Sequence, residues 1–280
     1  MSNVNYSGNP DIVGSLRCSQ KYLLESYFEK HNTVLDSDFQ SFLAHELPLG
    51  SCKALRNLNS MIRLPVLQRD LIGEGSHRHL FSSIKFNIQP ETISELPAHF
   101  CEAVVIDRLP AGVFADPFEL QHLVQRGVFF DAAVFGDTNL ELPTALSNRS
   151  VVEVHMDIGH NILSRHNNGL EINVELPLHA RYPPLGGSGY SRVVMDSPDL
   201  FIRCSIEQKS QYENCLWMTT VERIESPADA VVWRIPSGNK AHSGVVSIVT
   251  FISAFLSTVS IVLAAVYSSD TNSSKNLKKS

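Results

Sequence analysis

Leu170-Glu-Ile-Asn-Val-Glu-Leu176 is the stretch that decides the fold, because apolar and polar residues alternate along it without interruption. Successive side chains of a β-strand point to opposite faces of a sheet, so this alternation predicts a half-buried strand. The apolar face comprises Leu170, Ile172, Val174 and Leu176, and the polar face comprises Glu171, Asn173 and Glu175.

Similar segments lie on both sides of this stretch, separated by turns rich in Gly, Pro and Asn. One short helix is predicted over 116–124, because Asp before Pro is typical of a helix start. Short strands at near-regular spacing predict a mainly β fold, either an antiparallel β-sandwich or a pair of small sheets. The predicted strands cover residues 79–88, 101–107, 128–135, 151–157, 192–195, 200–206, 216–221 and 230–235.

Residues 1–75 have a different pattern. Apolar residues recur at three- and four-residue spacing within 19–28 and 36–47, which predicts two short helices, with Asp36 or Ser37 as the expected N-cap of the second. We therefore expect an N-terminal region of short helices and loops over 1–75 and a β-rich domain over 76–240.

Residues 245–266, VVSIVTFISAFLSTVSIVLAAV, run for 22 positions without a charged side chain. A helix of that length reaches roughly 33 Å, which is enough to cross a hydrocarbon core of about 30 Å. Its serines and threonines can bond back to the helix carbonyls, so they do not argue against a span. We predict one transmembrane helix over 244–267, followed by a short cytosolic tail over 268–280.

The location of the main domain is left open by the local sequence. Asn5-Tyr-Ser7 and Asn148-Arg-Ser150 are glycosylation acceptors, which act only in the secretory lumen. The first twenty residues contain neither an apolar h-region nor a basic n-region, so they do not form a signal peptide. The main domain is luminal if the chain begins downstream of a longer start, and cytosolic if the span inserts as a tail anchor.

The charge and cysteine content exclude some classes of function. The net charge of −6 provides no basic surface for nucleic acid. Five cysteines are too few for a disulfide scaffold, and none forms a C-x-x-C pair. Cys204 and Cys215 form a candidate disulfide in an oxidising lumen, with free buried thiols as the alternative.

The motifs that suggest chemistry have simpler structural interpretations. Asp36-Ser-Asp38 matches the D-x-D of some sugar transferases, but aspartates at a helix start also cap the helix and complement its dipole. His77-Arg-His79 places two imidazoles on one face of a strand, yet no third metal ligand is apparent in the sequence. We therefore expect no catalytic residue, no metal and no cofactor, and a binding subunit is favoured over an enzyme.

Four sequence blocks together resemble the PIG-X family. They occur in this order ahead of a single apolar segment, and the resemblance extends from about residue 75 to residue 266. The blocks are Gly75-Ser-His-Arg-His79, Leu109-Pro-Ala-Gly-Val-Phe-Ala-Asp-Pro-Phe-Glu-Leu120, Leu176-Pro-Leu-His-Ala-Arg-Tyr-Pro-Pro184 and Trp233-Arg-Ile-Pro-Ser-Gly238.

The resemblance implies a non-catalytic, single-pass glycoprotein of the endoplasmic reticulum membrane with a luminal main domain and a cytosolic C-terminus. Such a subunit stabilises PIG-M, the multi-span catalytic subunit of GPI mannosyltransferase I, which adds the first mannose to the GPI-anchor precursor. The motif positions expected at the partner interface are His179, Arg181, Tyr182, Asp116 and Glu119. A structural role is the alternative for each: holding a turn for the first three, and starting a helix for the last two.

Two other functions stay open at this stage. One is a cytosolic tail-anchored adaptor, which glycosylation at Asn148 would exclude. The other is a glycosyltransferase in its own right, for which Asp36 and Asp38 are the residues to test.

Overall fold

The structure is a computed structural model that describes residues 21–47, 62–88, 101–158, 170–208, 211–219 and 230–277. The chain divides into two compact units. The first contains the described residues up to Pro183 together with Arg192–Pro236, and the second contains Pro184–Ser191 and the described residues from Ser237 onward. The boundary expected at residue 75 falls inside the first unit.

The first unit is built from antiparallel sheets, which confirms the predicted mainly β fold. A four-stranded sheet has the order β1-β2-β7-β4, a five-stranded sheet has the order β10-β9-β3-β6-β5, and β11 and β8 form a two-stranded sheet. The strands are β1 (Ile62–Ile72), β2 (His77–Ile88), β3 (Cys101–Leu109), β4 (Val113–Phe114), β5 (Asp131–Gly136), β6 (Ser150–Asp157), β7 (Leu170–Ala180), β8 (Tyr190–Met195), β9 (Asp199–Gln208), β10 (Gln211–Thr219) and β11 (Val231–Pro236).

The main core lies between the four-stranded and five-stranded sheets. The alternation that predicted β7 is confirmed: Ile172, Val174 and Leu176 are buried, whereas the polar residues between them are exposed. They share one hydrophobic cluster with Val105 of β3 and Val154 of β6. Burying each such side chain contributes about 1.5–3 kcal/mol, so this interface adds substantially to the stability of the unit.

A second core covers the opposite face of the five-stranded sheet. It is formed by α1 (Glu25–Phe28), α2 (Asp36–His45) and the segment around them. Tyr27 and Phe39 pack there with Val104 and Ile106 of β3. Both faces of β3 are therefore covered, which explains why Glu102–Asp107 is buried without alternation.

Two expectations for the N-terminal region are wrong. Residues 62–72 form β1 rather than a helix or loop, and the register of β1 against β2 shifts between Arg63 and Val66. Pro65 lies at that irregularity and has no amide hydrogen to donate, so the local sequence hides the strand. The N-cap of α2 is Leu35, without a side-chain cap, rather than Asp36 or Ser37.

The second unit contains α4 (Ser243–Leu277), which follows a single 3-10 turn over Lys240–His242. Among the described residues, one helical stretch, Lys240–Ser268, is long and apolar enough to cross a membrane. Its large apolar side chains, such as Phe251 and Phe255, are exposed. Ser257 Oγ and Thr258 Oγ1 donate to the carbonyls of Ser253 and Ala254 at 2.8 Å, as the sequence predicted.

Candidate functional site

Three of the four sequence blocks meet at one end of the four-stranded sheet. His77 of β2 lies opposite His179 of β7, and Phe114 of β4 lies opposite His179 from the other side. Directly opposed residues of antiparallel strands share a face, so these three rings form a row across the sheet. The ring of His179 stacks against those of His77 and Phe114, with centroid distances of 4.4 Å and 5.2 Å.

The remaining member of the site comes from α3 (Pro117–Gln125). Asp116 is the N-cap of this helix: its Oδ1 accepts a hydrogen bond from the Phe118 amide at 2.8 Å, and Pro117 follows at the first helical position. This start places Glu119 in the first turn. Glu119 Oε2 lies 3.0 Å from His179 Nε2, and Glu119 Oε1 lies 3.5 Å from His77 Nε2. His77, Glu119 and His179 are called the His–Glu cluster below.

The neighbouring Arg181 has a structural role. The residue is only 3 % exposed, and its guanidinium donates to the carbonyls of Asn139 at 2.5 Å and Leu142 at 3.1 Å. The guanidinium carbon also lies 4.7 Å from the centre of the Phe114 ring. Burial lowers the pKa of Arg181, an effect that the nearby carboxylate of Asp137 opposes. Arg181 therefore fixes the loop between β5 and β6, whereas the adjacent Tyr182 is 85 % exposed.

The fourth block contributes to the core beside this site. Trp233 of β11 is fully buried, and the guanidinium carbon of Arg78 lies 5.6 Å from its ring centre. His77 and Arg78 are consecutive on β2, so one block supplies both a cluster residue and a core contact.

A second polar group, buried in the five-stranded sheet, was missed by the sequence reasoning. His155 of β6 lies between two buried carboxylates: its Nδ1 is 3.1 Å from Glu102 Oε2 and its Nε2 is 2.9 Å from Glu153 Oε1. Glu153 also accepts hydrogen bonds from the amides of Leu23 and Leu24 at 2.8 Å and 3.0 Å. This arrangement attaches the N-terminal helical segment to the sheet. Glu153 and His155 alternate within one strand, which is the only local sign of the group.

The charges of this group are mutually stabilised. Burial by itself would lower the pKa of His155, but hydrogen bonds to Glu102 and Glu153 outweigh it and raise the pKa above its ordinary value of 6.5. Burial would likewise raise the pKa of Glu102, but the hydrogen bond from His155 and the charge of Arg203 lower it. Arg203 also donates to the Lys21 carbonyl at 3.0 Å, which adds a further contact to the N-terminal segment.

The disulfide differs from the predicted one. Cys204 of β9 is bonded to Cys101 of β3, a residue 103 positions away, so the expected bond between Cys204 and Cys215 is wrong. β9 lies between β3 and β10, and the strand register places Cys101 opposite Cys204 on one side and Cys215 opposite it on the other. The local sequence shows only the hairpin partner, which is why the long-range bond was missed.

The other predicted positions have these surroundings. Asp36 pairs with Arg149 at 2.8 Å and with Arg108 at 3.1 Å, and the hydrogen bond from Arg149 lowers the pKa of Asp36 despite the opposing effect of burial. The D-x-D motif thus supplies an ion pair between α2 and the sheet.

Asn148 is exposed just before β6, and Asn5 lies outside the described residues. His79 Nδ1 pairs with Glu175 at 2.9 Å instead of joining the His–Glu cluster.

The described residues define a class of mainly β proteins. In this class, a sandwich of antiparallel sheets and one helix long enough to cross a membrane belong to the same chain. Residues 73–266 match the PIG-X / PBN1 family model, and the chain belongs to that family. The match begins at the turn before β2 and extends into the apolar helix, so it includes all four sequence blocks.

Curated relatives carry one shared name, "GPI alpha-1,4-mannosyltransferase I, stabilizing subunit". The chain is 26 % identical to the Homo sapiens protein over 216 residues, which cover 71 % of this chain and 79 % of the relative. It is 26 % identical to the Mus musculus protein over 237 residues, covering 78 % of this chain and 87 % of the relative. The Rattus norvegicus protein is 27 % identical over 217 residues, with 71 % and 81 % covered.

Proposed function

We propose that this chain is the non-catalytic, stabilising subunit of GPI alpha-1,4-mannosyltransferase I. In this role it binds a multi-span catalytic subunit of the PIG-M type in the endoplasmic reticulum membrane. The observation that carries the proposal is the family match, which extends through the β unit to residue 266 of the apolar helix. The shared name of the relatives identifies the enzyme that such a subunit stabilises.

The disulfide supports a luminal main domain. Disulfides persist in oxidising compartments and are rare in the cytosol, and Cys101 and Cys204 join two adjacent strands of the five-stranded sheet. With the β unit in the lumen, one span places the C-terminus in the cytosol. The exposed position of Asn148 agrees with the proposed glycosylation at that residue.

The apolar helix is the proposed membrane contact with the catalytic subunit. Helices pack closely in lipid where small residues line the interface, since lipid offers no hydrophobic driving force between them. Ser253, Ser257 and Ser260 provide such positions, and Ser260 Oγ, like that of Ser257, bonds back to a carbonyl one turn earlier.

Two exposed aromatic residues are the proposed luminal contact. Tyr182 is 85 % exposed and Phe118 is 74 % exposed, and each lies within one of the sequence blocks. Aromatic side chains are enriched where binding energy concentrates in protein interfaces. Of the positions predicted from the resemblance, Tyr182 therefore remains the best candidate, whereas Asp116 and Arg181 already have structural partners within the chain.

The test is removal of this chain from its cells. We expect the steady-state amount of the catalytic subunit and of GPI-anchored surface proteins to fall, and wild-type chain to restore both. A Phe118→Ala/Tyr182→Ala variant should restore them poorly. The matched control Leu35→Ala, at another exposed apolar side chain outside the blocks, should restore them fully.

An unchanged amount of catalytic subunit after removal would refute the proposal. Mannose transfer by the purified full-length chain alone would also refute it, because that outcome identifies a glycosyltransferase.

A further inference from the structure

We propose that the His–Glu cluster binds a divalent transition metal, and that Zn²⁺ is the ion that fits it best. One ligand atom each of His77, Glu119 and His179 lies within 4.8 Å of the other two. The proposal concerns these residues alone and does not depend on the function proposed above.

The set of donor atoms favours zinc over the hard cations. Two imidazole nitrogens and one carboxylate oxygen are ligands that Zn²⁺ accepts readily, and sites with three protein ligands leave a fourth position for water or an incoming group. Calcium and magnesium prefer sites made of oxygen atoms, so two histidines argue against them.

The distances already approach those of a zinc site. At metal–ligand bond lengths near 2.0–2.1 Å, two ligand atoms of a tetrahedral site lie roughly 3.3 Å apart. Glu119 Oε2 lies 3.0 Å from His179 Nε2 and Glu119 Oε1 lies 3.5 Å from His77 Nε2, so each imidazole nitrogen is near that spacing from one oxygen of the shared carboxylate.

The two rings are stacked, with an angle of 14° between their planes, so at least one ring must rotate before both lone pairs can point at one ion. The side chain of His77 is 47 % exposed, which leaves room for that rotation.

The backbone sets the positions from which all three ligand side chains extend. His77 and His179 are register partners on paired strands, and Glu119 lies in the first turn of a helix capped by Asp116. A bound ion would therefore connect β2, β7 and α3 without reorganising any of them. Because the backbone is ordered before the ion arrives, binding loses conformational entropy only in the three side chains.

The arrangement gathers more donor atoms than a single ion pair uses. Two imidazoles share the carboxylate of Glu119, with ring centres only 4.4 Å apart. One divalent ion would bind all three groups together.

The experiment is a zinc titration of the full-length chain purified in detergent through a tag without histidines. We expect one equivalent of Zn²⁺ to bind, measured by competition with a chromophoric chelator. Replacing Zn²⁺ by Co²⁺ should give the visible absorption of a four-coordinate site. His77→Ala, His179→Ala and Glu119→Gln should each weaken binding on the order of a hundredfold or more, because loss of a ligand exceeds the 10–100-fold cost of losing an outer-shell partner.

Control variants separate this site from other binding on the chain. His79→Ala removes the histidine two positions along β2 that has its own partner, Glu175, and His45→Ala removes an exposed histidine on α2. Both should bind Zn²⁺ like the wild type. The unchanged circular dichroism of Glu119→Gln without metal should show that this variant is folded.

The proposal is overturned if the wild type binds no zinc at micromolar concentration. It is equally overturned if binding survives in His179→Ala and Glu119→Gln, because the ion would then lie elsewhere on the chain.

Discussion

At the scale of single residues, the charged group around His155 is removed from water inside a sheet. An isolated buried charge is strongly unfavourable, so such a group is stable only when every member has a partner. Glu102, Glu153 and Arg203 provide those partners, and the amides of Leu23 and Leu24 complete the set. The buried charges therefore help to hold the N-terminal segment in place, because amides of that segment are among their hydrogen-bond partners.

This group predicts a specific pH dependence of stability. The pKa of His155 is raised, so its contribution is fully present below about pH 6.5, the unfolded value, and is lost as the pH rises through the higher folded value. The pKa of Glu102 is lowered, so its contribution is present above about pH 4.3, the unfolded value, and is lost as the pH falls through the lower folded value. The unfolding temperature of the full-length chain in detergent should therefore decline on the alkaline side.

The variant His155→Gln separates this effect from general alkaline instability. We expect it to lose about 3 kcal/mol at pH 6, because one partner of a buried charged group has been removed. For a chain of this size that corresponds to a fall of about 6–12 °C in unfolding temperature. The difference from wild type should shrink as the pH rises, whereas His45→Gln, at an exposed position, should stay within about 0.5 kcal/mol throughout. An equal difference at pH 6 and pH 9 would contradict the assignment of the pH effect to His155.

At the scale of elements, the local sequence predicted strands with one exposed face and also the covered strands β3 and β6, but it failed at β1 and at the N-cap of α2. β7 alternates because one face meets the core and the other meets water, and the prediction for it was correct. β1 contains Pro65 and a shift in register, so its pattern is broken where it pairs. Asp36 was expected to cap α2, but its carboxylate binds Arg108 and Arg149, which lie far away in sequence.

The candidate site was predictable in its residues but not in its grouping. His179 and Glu119 were singled out as motif positions, whereas His77 was paired in sequence with His79. Only strand pairing shows that His77 faces His179, because the two residues belong to separate blocks and meet through the β2–β7 register. Sequence spacing along one strand contains no information about the neighbouring strand.

The disulfide provides the prediction at this scale. Closing a loop of about 100 residues stabilises a fold by up to about 4.7 kcal/mol in the chain-entropy description. We expect Cys101→Ser and Cys204→Ser each to lower the unfolding temperature and to remove the disulfide-linked peptide pair from a non-reducing digest. Cys215→Ser is the matched control and should retain the 101–204 pair. Recovery of a 204–215 peptide from the wild type would contradict the observed bond.

At the scale of the whole molecule, one compartment has to suit several features at once. Disulfides persist in oxidising compartments, glycosylation acceptors act only in the lumen, and the apolar helix is long enough to cross a bilayer. The proposed luminal main domain with one span would suit all three features. The alternative, a cytosolic tail-anchored arrangement, would suit only the apolar helix.

Glycosylation on the two sides of the span tests this topology. In sealed microsomes, we expect the full-length chain to show a glycosidase-sensitive increase in mass. In Asn148→Gln this increase should be smaller by the mass of one N-linked glycan. Asn272-Ser-Ser274 lies beyond the apolar segment and serves as the internal control, since Asn272→Gln should leave the mass unchanged. Added protease should remove only the short C-terminal tail, because the lumen shields the rest. A mass shift lost in Asn272→Gln but kept in Asn148→Gln would show that the β unit faces the cytosol, and the stabilising role would then have to be exerted from that side.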